Sequence, residues 1–300
     1  MLGYACINTE LRANNVFTNR TMRKKTFLEK GLPYVSQLSL QNCRDLLSIL
    51  QWNEANNIRF FRISSNLFPW CSEYSFYDLP DVDEIFDILQ QIGKFAKEKQ
   101  HRLTFHPDHF CKLASPKEEV LINTIKELEF HSFLMDCMGL SNTTYNKINI
   151  HVGATYGDKE ETAKRFCLNF CKLSSNLQSR LTVENDDRAS LFSAYDLYTM
   201  IHKFIDIPIV FDYHHHRFCS SDLNEVEALE MSLSTWQDVK PATHYSDSRQ
   251  VEQNDTKIKP QAHSDYIFTK IDTYNLDFDI MLESKMKEKA LLLYRDKIQC

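Results

Sequence analysis

The sequence predicts an α/β chain folded as a single (β/α)8 TIM barrel, with its active site at the C-terminal ends of the strands. Three observations predict it. Eight short runs rich in β-branched or aromatic residues recur along 300 residues, a common length for one such barrel. Stretches with helical spacing separate the runs. Carboxylates and histidines stand at or just after most of the runs, and a barrel gathers those positions at one mouth.

The runs cover residues 2–7, 58–63, 102–106, 147–152, 181–184, 207–212, 242–245 and 279–283. Between the second and third, Val82, Ile85, Phe86, Leu89, Ile92 and Phe95 repeat at intervals of three and four. The acidic residues Asp81, Asp83 and Glu84 form the first turn of this stretch, as suits a helix N-terminus. Helical patterns also cover 46–52, 120–138, 166–177, 197–204, 226–236 and 283–294. No linker interrupts this alternation, so residues 1–300 are expected to form one domain. The polar stretch 247–261 reads as a long loop at the barrel mouth, after the seventh strand.

Composition excludes several functions. With six glycines the chain carries neither GxGxxG nor GxxxxGK[ST], so dinucleotide and Walker-type sites are not expected. No apolar run reaches membrane-spanning length, and MLGYACINTE does not read as a signal peptide. The nine cysteines are scattered without a CxxC pair. They read as reduced thiols of an intracellular protein, in cytoplasm or nucleus or carried with a virion. Nothing implies an obligate protein partner, and a monomer is expected.

The net charge of −6 would by itself disfavour a nucleic-acid partner, although three bound divalent cations would neutralise it. Between residues 12 and 30 the balance reverses: Arg12, Arg20, Arg23, Lys24, Lys25 and Lys30 face a single acid, Glu29. The segment reads either as a solvated basic loop or as a phosphate-contacting one.

The strand ends offer His106, His151, Glu184, Asp212, His215, His244, His263 and Glu283. All are imidazole or carboxylate, a set that suits zinc, manganese or iron rather than a cysteine-bound structural zinc. A single histidine after a strand is more often a loop or core residue. Glu184, however, ends an apolar strand, where an unpaired carboxylate is costly. Convergence of so many such residues on one mouth points to a multi-metal site. Of His214, His215 and His216, at least two are expected to face solvent from a loop. Asp212 and His215, in D-x-x-H spacing, could share a site.

Nine motifs then follow in order: GYACIN, FRISSNLFP, FHPDHF, HVG, ENDD, FDYHHH, THYS, AHSDYI and MLESKMKEKAL. Across nearly its whole length the chain resembles the ultraviolet damage endonuclease family. The resemblance implies a barrel related to endonuclease IV with two or three divalent metals, manganese first and zinc or magnesium as alternatives. His106, His151 and Glu184 would hold one. Glu184 would bridge to a second, held by Asp212, His244 and Glu283. His215 and His263 would hold a third. Glu184, Glu283 and Asp212 would be catalytic, through a metal-activated hydroxide. Tyr4 and Asn8 would lie near the DNA and lesion, and His109 and Phe110 would insert into the duplex. Arg62 is either a phosphate contact or a structural ion-pair partner. Of the aromatics Phe17, Phe68, Trp70 and Tyr156 in expected mouth loops, most should simply pack.

The implied substrate is damaged double-stranded DNA, cut 5′ to ultraviolet photoproducts, with abasic sites as a further target, to leave 3′-hydroxyl and 5′-phosphate ends. Two departures from the family pattern stand out. Ala242 occupies a position where many members have a lysine at the metal site, and His109–Phe110 replaces a Gln-Tyr-like pair. Two other functions fit the same residues: a metal-dependent sugar isomerase or epimerase on a related barrel, and a damaged-DNA-binding protein that has lost catalysis.

Overall fold

Each apolar run forms a short parallel strand: β1 (Leu2–Ala5), β2 (Phe60–Ile63), β3 (Arg102–Phe105), β4 (Ile148–His151), β5 (Leu181–Glu184), β6 (Ile209–Val210), β7 (Ala242–Tyr245) and β8 (Asp279–Leu282). The computed structural model describes residues 1–297. Eight cysteines fall among them and all are free thiols; Cys300 lies outside the described residues.

The strands run β6-β5-β4-β3-β2-β1-β8-β7, with β1 paired in parallel to both β2 and β8. The remaining gap, between β6 and β7, is closed by a parallel bridge from Asp212 to His244, and the His244 N–H donates to the Phe211 carbonyl at 2.9 Å. Two expected site residues therefore sit on the seam that completes the barrel.

The period-two alternation of a strand sorts the side chains. Phe61, Ile63, Leu103, Phe105, Ile148, Ile150, Leu181 and Val183 belong to the main core against the helices. Ala5, Phe60, Val210, Ala242 and Met281 pack with Trp236 in a separate small cluster. Polar side chains also alternate with the core set: Arg102 and Thr104 on β3, Lys147 and Asn149 at β4, Thr182 and Glu184 on β5, all of them buried.

Helices fill the crossovers. In chain order they are α1 (Thr9–Arg12), α2 (Lys24–Ala55), α3 (Val82–Glu98), α4 (Glu118–Cys137), α5 (Lys159–Phe170), α6 (Ser175–Gln178) and α7 (Ala194–Leu197). Then α7 runs through a π turn, Tyr198–His202, into α8 (Lys203–Ile205). Last come α9 (Tyr213–His216), α10 (Glu225–Leu233), α11 (Arg249–Gln253) and α12 (Lys287–Lys297). In α3 the buried residues Ile85, Leu89, Ile92 and Ala96 keep the spacing read from the sequence.

Two segments differ from expectation. The basic stretch is not all loop, because α2 already begins at Lys24. Gly31, at φ 61, breaks it, and Pro33 then stands in the first turn of the longer part, where its missing N–H costs nothing. Residues 247–261 are not a featureless loop either. They contain α11, and Ser248 bridges back to His263 while its hydroxyl donates to the Pro260 carbonyl at 2.8 Å. That fold-back carries His263 to the mouth.

Gly93 lets α3 touch the end of α4. A Cβ there would lie 1.6 Å from the Met138 carbonyl oxygen, so backbone would have to move. Gly93→Ala is expected to destabilise the fold by about 3 kcal/mol, the upper part of the overpacking range, despite the better helix propensity of alanine. Urea unfolding checks this; a gain in stability would show that the two helices are free to separate.

Candidate metal centre

Six strands deliver side chains to one point. His151 and Glu184 are the last residues of β4 and β5, His106 and Glu283 directly follow β3 and β8, Asp212 stands two residues beyond β6, and His244 lies within β7. Because parallel strands of a barrel end on one face, these six meet although they span the chain.

Glu184 is the hub. One carboxylate oxygen lies 3.1 Å from His106 Nε2 and 3.0 Å from His244 Nδ1, and also accepts a hydrogen bond from the Asn149 amide. The other lies 3.8 Å from His151 Nε2 and 3.5 Å from His215 Nδ1. Three groups have ligand atoms within 4.8 Å of one another: His106, His151 and Glu184; Glu184, Asp212 and His215; and Asp212, His244 and Glu283. Glu184 and Asp212 are each shared by two.

Local structure holds these atoms. Asp212 caps α9, its side chain accepting from the His215 N–H, which sets the two residues on one turn. Asn185 bonds the Asp212 backbone through both its amide atoms, at 2.8 and 3.0 Å. Lys147 Nζ, fully buried, lies 3.1 Å from His244 Nε2, so the other ring nitrogen faces Glu184 and Glu283. Arg62 donates to Glu283.

Burial would raise the Glu184 carboxyl, but the charges of His244 and His151 and the hydrogen bond from His106 hold it well below the usual range. Burial also works against Glu283, and Arg62 and His244 keep it ionised. Burial lowers His106 to about 4 and Lys147 to about 7. His215 goes the other way: Asp212 and Glu184 outweigh burial and raise it to about 9.

This donor set fits divalent cations. Asp212 Oδ2, His244 Nδ1 and His151 Nδ1 are buried without a hydrogen bond, although buried polar atoms are normally satisfied. Three lone-pair donors left open amid ionised carboxylates are what a metal ligand looks like without its ion.

His263 joins none of the three groups. Its Nδ1 lies 3.1 Å from the Glu283 carbonyl and 3.8 Å from that residue's carboxylate, with its ring 6.0 Å from His215. His215 sits instead with Glu184 and Asp212. His214 and His216 do not face solvent; both are buried in α9, where His214 packs on Phe218 and His216 on Phe211.

Tyr4 and Asn8, expected near the DNA and lesion, lie inside the fold. Both are fully buried, with no surface for DNA. The Tyr4 hydroxyl donates to Asn53 at 2.6 Å and accepts from the Asn8 amide at 3.0 Å, while Asn8 also caps α1. His109 and Phe110, by contrast, form an exposed tip on the loop after β3. Phe110 is 73% exposed and the two rings lie 4.1 Å apart. In the basic segment, Arg20 is tied to Asp45 at 2.6 Å and Lys24 to Glu73 at 2.9 Å. Phe68 packs against Phe76 and Phe130, whereas Tyr156 remains exposed.

Sequence reasoning missed Lys147, Asn149 and Asp186. The first two were legible: in K-x-N-x-H they alternate with His151 and so share its face of β4. Asp186, 3.5 Å from His151 Nδ1, lies past the strand end, where no periodicity applies.

The family model for UV-endonuclease UvdE matches residues 1–299. The chain is 37% identical over 306 residues to a UV-damage endonuclease of Schizosaccharomyces pombe, covering 97% of this chain and 49% of that protein. It is 34% identical over 303 residues to a putative UV-damage endonuclease of Acanthamoeba polyphaga mimivirus, covering 97% and 89%. It thus spans about half the length of the yeast relative and most of the viral one. The crystal structure of SacUVDE superposes with TM-score 0.82 at 33% identity, covering 98% of each chain. Endonuclease IV from Thermus thermophilus and a 3-keto-D-glucoside 4-epimerase from E. coli, each at TM-score 0.56 and 12% identity, share the fold alone.

Proposed function

The chain belongs to the UV-endonuclease UvdE family, and from that premise we propose that it is a metal-dependent endodeoxyribonuclease cutting damaged double-stranded DNA. The cut falls 5′ to ultraviolet photoproducts, with abasic sites as a second substrate. The observation that carries this reading is the meeting of six strand ends at Glu184, with buried ligand atoms left open. It acts alone, in a compartment that holds DNA. No helix among the described residues is long and apolar enough to cross a membrane.

Two or three divalent ions, manganese first and zinc or magnesium as alternatives, would neutralise the phosphate oxygens and acidify a water. The side chains divide the remaining work. His106, His151 and Glu184 make one ligand set, and Asp212, His244 and Glu283 another, with Glu184 3.0 Å from His244 as the link. His215 supplements Glu184 and Asp212. Lys147 fixes the His244 ring, and Arg62 keeps Glu283 ionised. His109 and Phe110 wedge into the duplex, where a damaged step unstacks at less cost than an intact one. Ala242 stays in the small apolar cluster, and the three ligand sets assemble without a lysine at that position.

The test is nicking of an ultraviolet-irradiated duplex with Mn²⁺, beside EDTA. A cut immediately 5′ to the lesion that EDTA removes is expected. No cut by the folded protein with any divalent ion would sink the nuclease reading, and sugar isomerisation would be tried next.

Metal uptake should release a proton. His215 is raised to about 9 without metal, so it is protonated at pH 7 and must lose that proton to become a ligand. Apparent metal affinity is therefore expected to rise with pH up to about 9. For the metal-free fold the sign is opposite: the stability His215 contributes is complete below its unfolded value and lost as pH rises through about 9. Calorimetry at pH 7 in two buffers of different ionisation enthalpy should show about one proton released at this position, absent in His215→Asn. Equal release by both proteins would remove His215 from the ligand set.

A further inference from the structure

Lys287 opens α12 at φ +50, in the left-handed region that a side chain with a Cβ adopts unfavourably. The chain is pinned on both sides of it. Upstream, the N–H groups of Lys285 and Met286 donate to the Ser264 and Asp265 carbonyls at 2.9 and 3.0 Å. Downstream, Glu288 is fully buried, and its carboxylate accepts from the Thr9 and Glu10 N–H groups at 2.8 and 2.9 Å and from the Thr9 hydroxyl. The strained turn between these pins sets Lys287 four residues past Glu283.

The Lys287 ammonium has no hydrogen bond or ion pair among the described residues, although the side chain is half-buried. Its charged neighbours are Arg62 on β2, Glu283 just past β8, and Lys285; burial lowers its pKa, and Glu283 opposes that. Arg62 is already committed to Glu283, and Glu283 to Arg62 and His244. Lys287 is thus a cation held at the mouth, by a strained backbone, without a protein acceptor. Strain of this kind persists where surrounding structure enforces it, and it gathers at functional sites.

We infer that Lys287 is a substrate-contacting residue that takes a backbone phosphate of the DNA on the β8–β1–β2 side of the mouth. The inference rests on the endonuclease reading above. It differs from the expected basic segment, where Arg20 and Lys24 are held by carboxylates of the protein itself.

Binding of a lesion-bearing duplex to the full chain, measured by fluorescence anisotropy across a salt series in EDTA, tests it. Each phosphate contact adds about 0.9 to the slope of log K against log [salt]. Lys287→Gln should lower the slope by about that amount, and Lys287→Arg should keep it. Lys287→Gly removes the charge and relieves the strain, so it should lose the same slope without a lower thermal midpoint. An unchanged slope in Lys287→Gln and Lys287→Gly would overturn the inference, whatever happens to stability. Wild-type protein that binds with a salt slope in EDTA but never nicks the same duplex when Mn²⁺ is supplied would overturn the nuclease reading, while the variants still decide Lys287. Wild-type protein that binds DNA neither in EDTA nor with a divalent ion supplied overturns both.

Discussion

Glu184→Gln is expected to lower Mn²⁺-dependent nicking of irradiated duplex by about three orders of magnitude, or about 4 kcal/mol of transition-state stabilisation. The size follows from where the carboxylate sits. It lies within 4 Å of His106, His151, His215 and His244 and belongs to two of the three ligand groups. An amide there keeps the shape and can still accept from Asn149, so the barrel should fold. What it lacks is the negative charge that holds two cations close together. Metal should therefore protect the variant poorly. A ligand at a hundred times its Kd stabilises by about 2.7 kcal/mol, so wild-type protein should melt higher with Mn²⁺ than in EDTA, and Glu184→Gln much less so. Wild-type nicking by the variant would mean that the hub is structural and the chemistry lies elsewhere. Lost nicking with full metal protection would separate a catalytic from a binding role.

The hub was legible because it obeys two strong regularities. Hydrophobic runs with period two give the strands, and a carboxylate ending one of them must be compensated. Hence Glu184, Asp212, His106, His151, His244 and Glu283 could be named before their distances were known. Other residues were misread where local sequence carries no sign of depth. Tyr4 lies within β1 and Asn8 three residues past it, and only the family resemblance marked them. In the fold the Tyr4 hydroxyl is satisfied by Asn53, a partner that appears only once α2 packs on β1, and Asn8 by its cap on α1. His214 and His216 looked like an exposed run because three histidines are polar; α9 turns two of them inward. The basic segment shows the same limit. Charge counting sees Arg20 and Lys24, but their acids, Asp45 and Glu73, lie about 25 and 49 residues away. Lys147 was overlooked for a different reason. A lysine before a strand is usually a solvated flank, and only its phase relative to His151 marks it as inward.

At the opposite end of the same barrel, Asp279→Ala is expected to destabilise the fold by about 3–5 kcal/mol while nicking per folded molecule stays near wild type. Asp279 lies at the start of β8, fully buried, 2.9 Å from the equally buried Arg102 and 2.5 Å from the N-terminal amine. Lys240 reaches the same carboxylate at 3.7 Å, so it serves this end of the barrel and not the metal centre. Arg102 also donates to the carbonyls of Tyr145 and Pro241 at 2.8 and 3.2 Å, which satisfies its hydrogens but not its charge. Removing the aspartate leaves a buried guanidinium uncompensated, and burial already works to lower the Arg102 pKa. Removing both partners should cost far less, so Asp279→Leu with Arg102→Met is expected to recover most of the loss. Chemical denaturation of the two proteins decides it. A double variant as unstable as the single one would mean that the pair sets strand register at β3 and β8. Recovery would show that the inward-facing charges at the strand starts serve to neutralise each other within the protein.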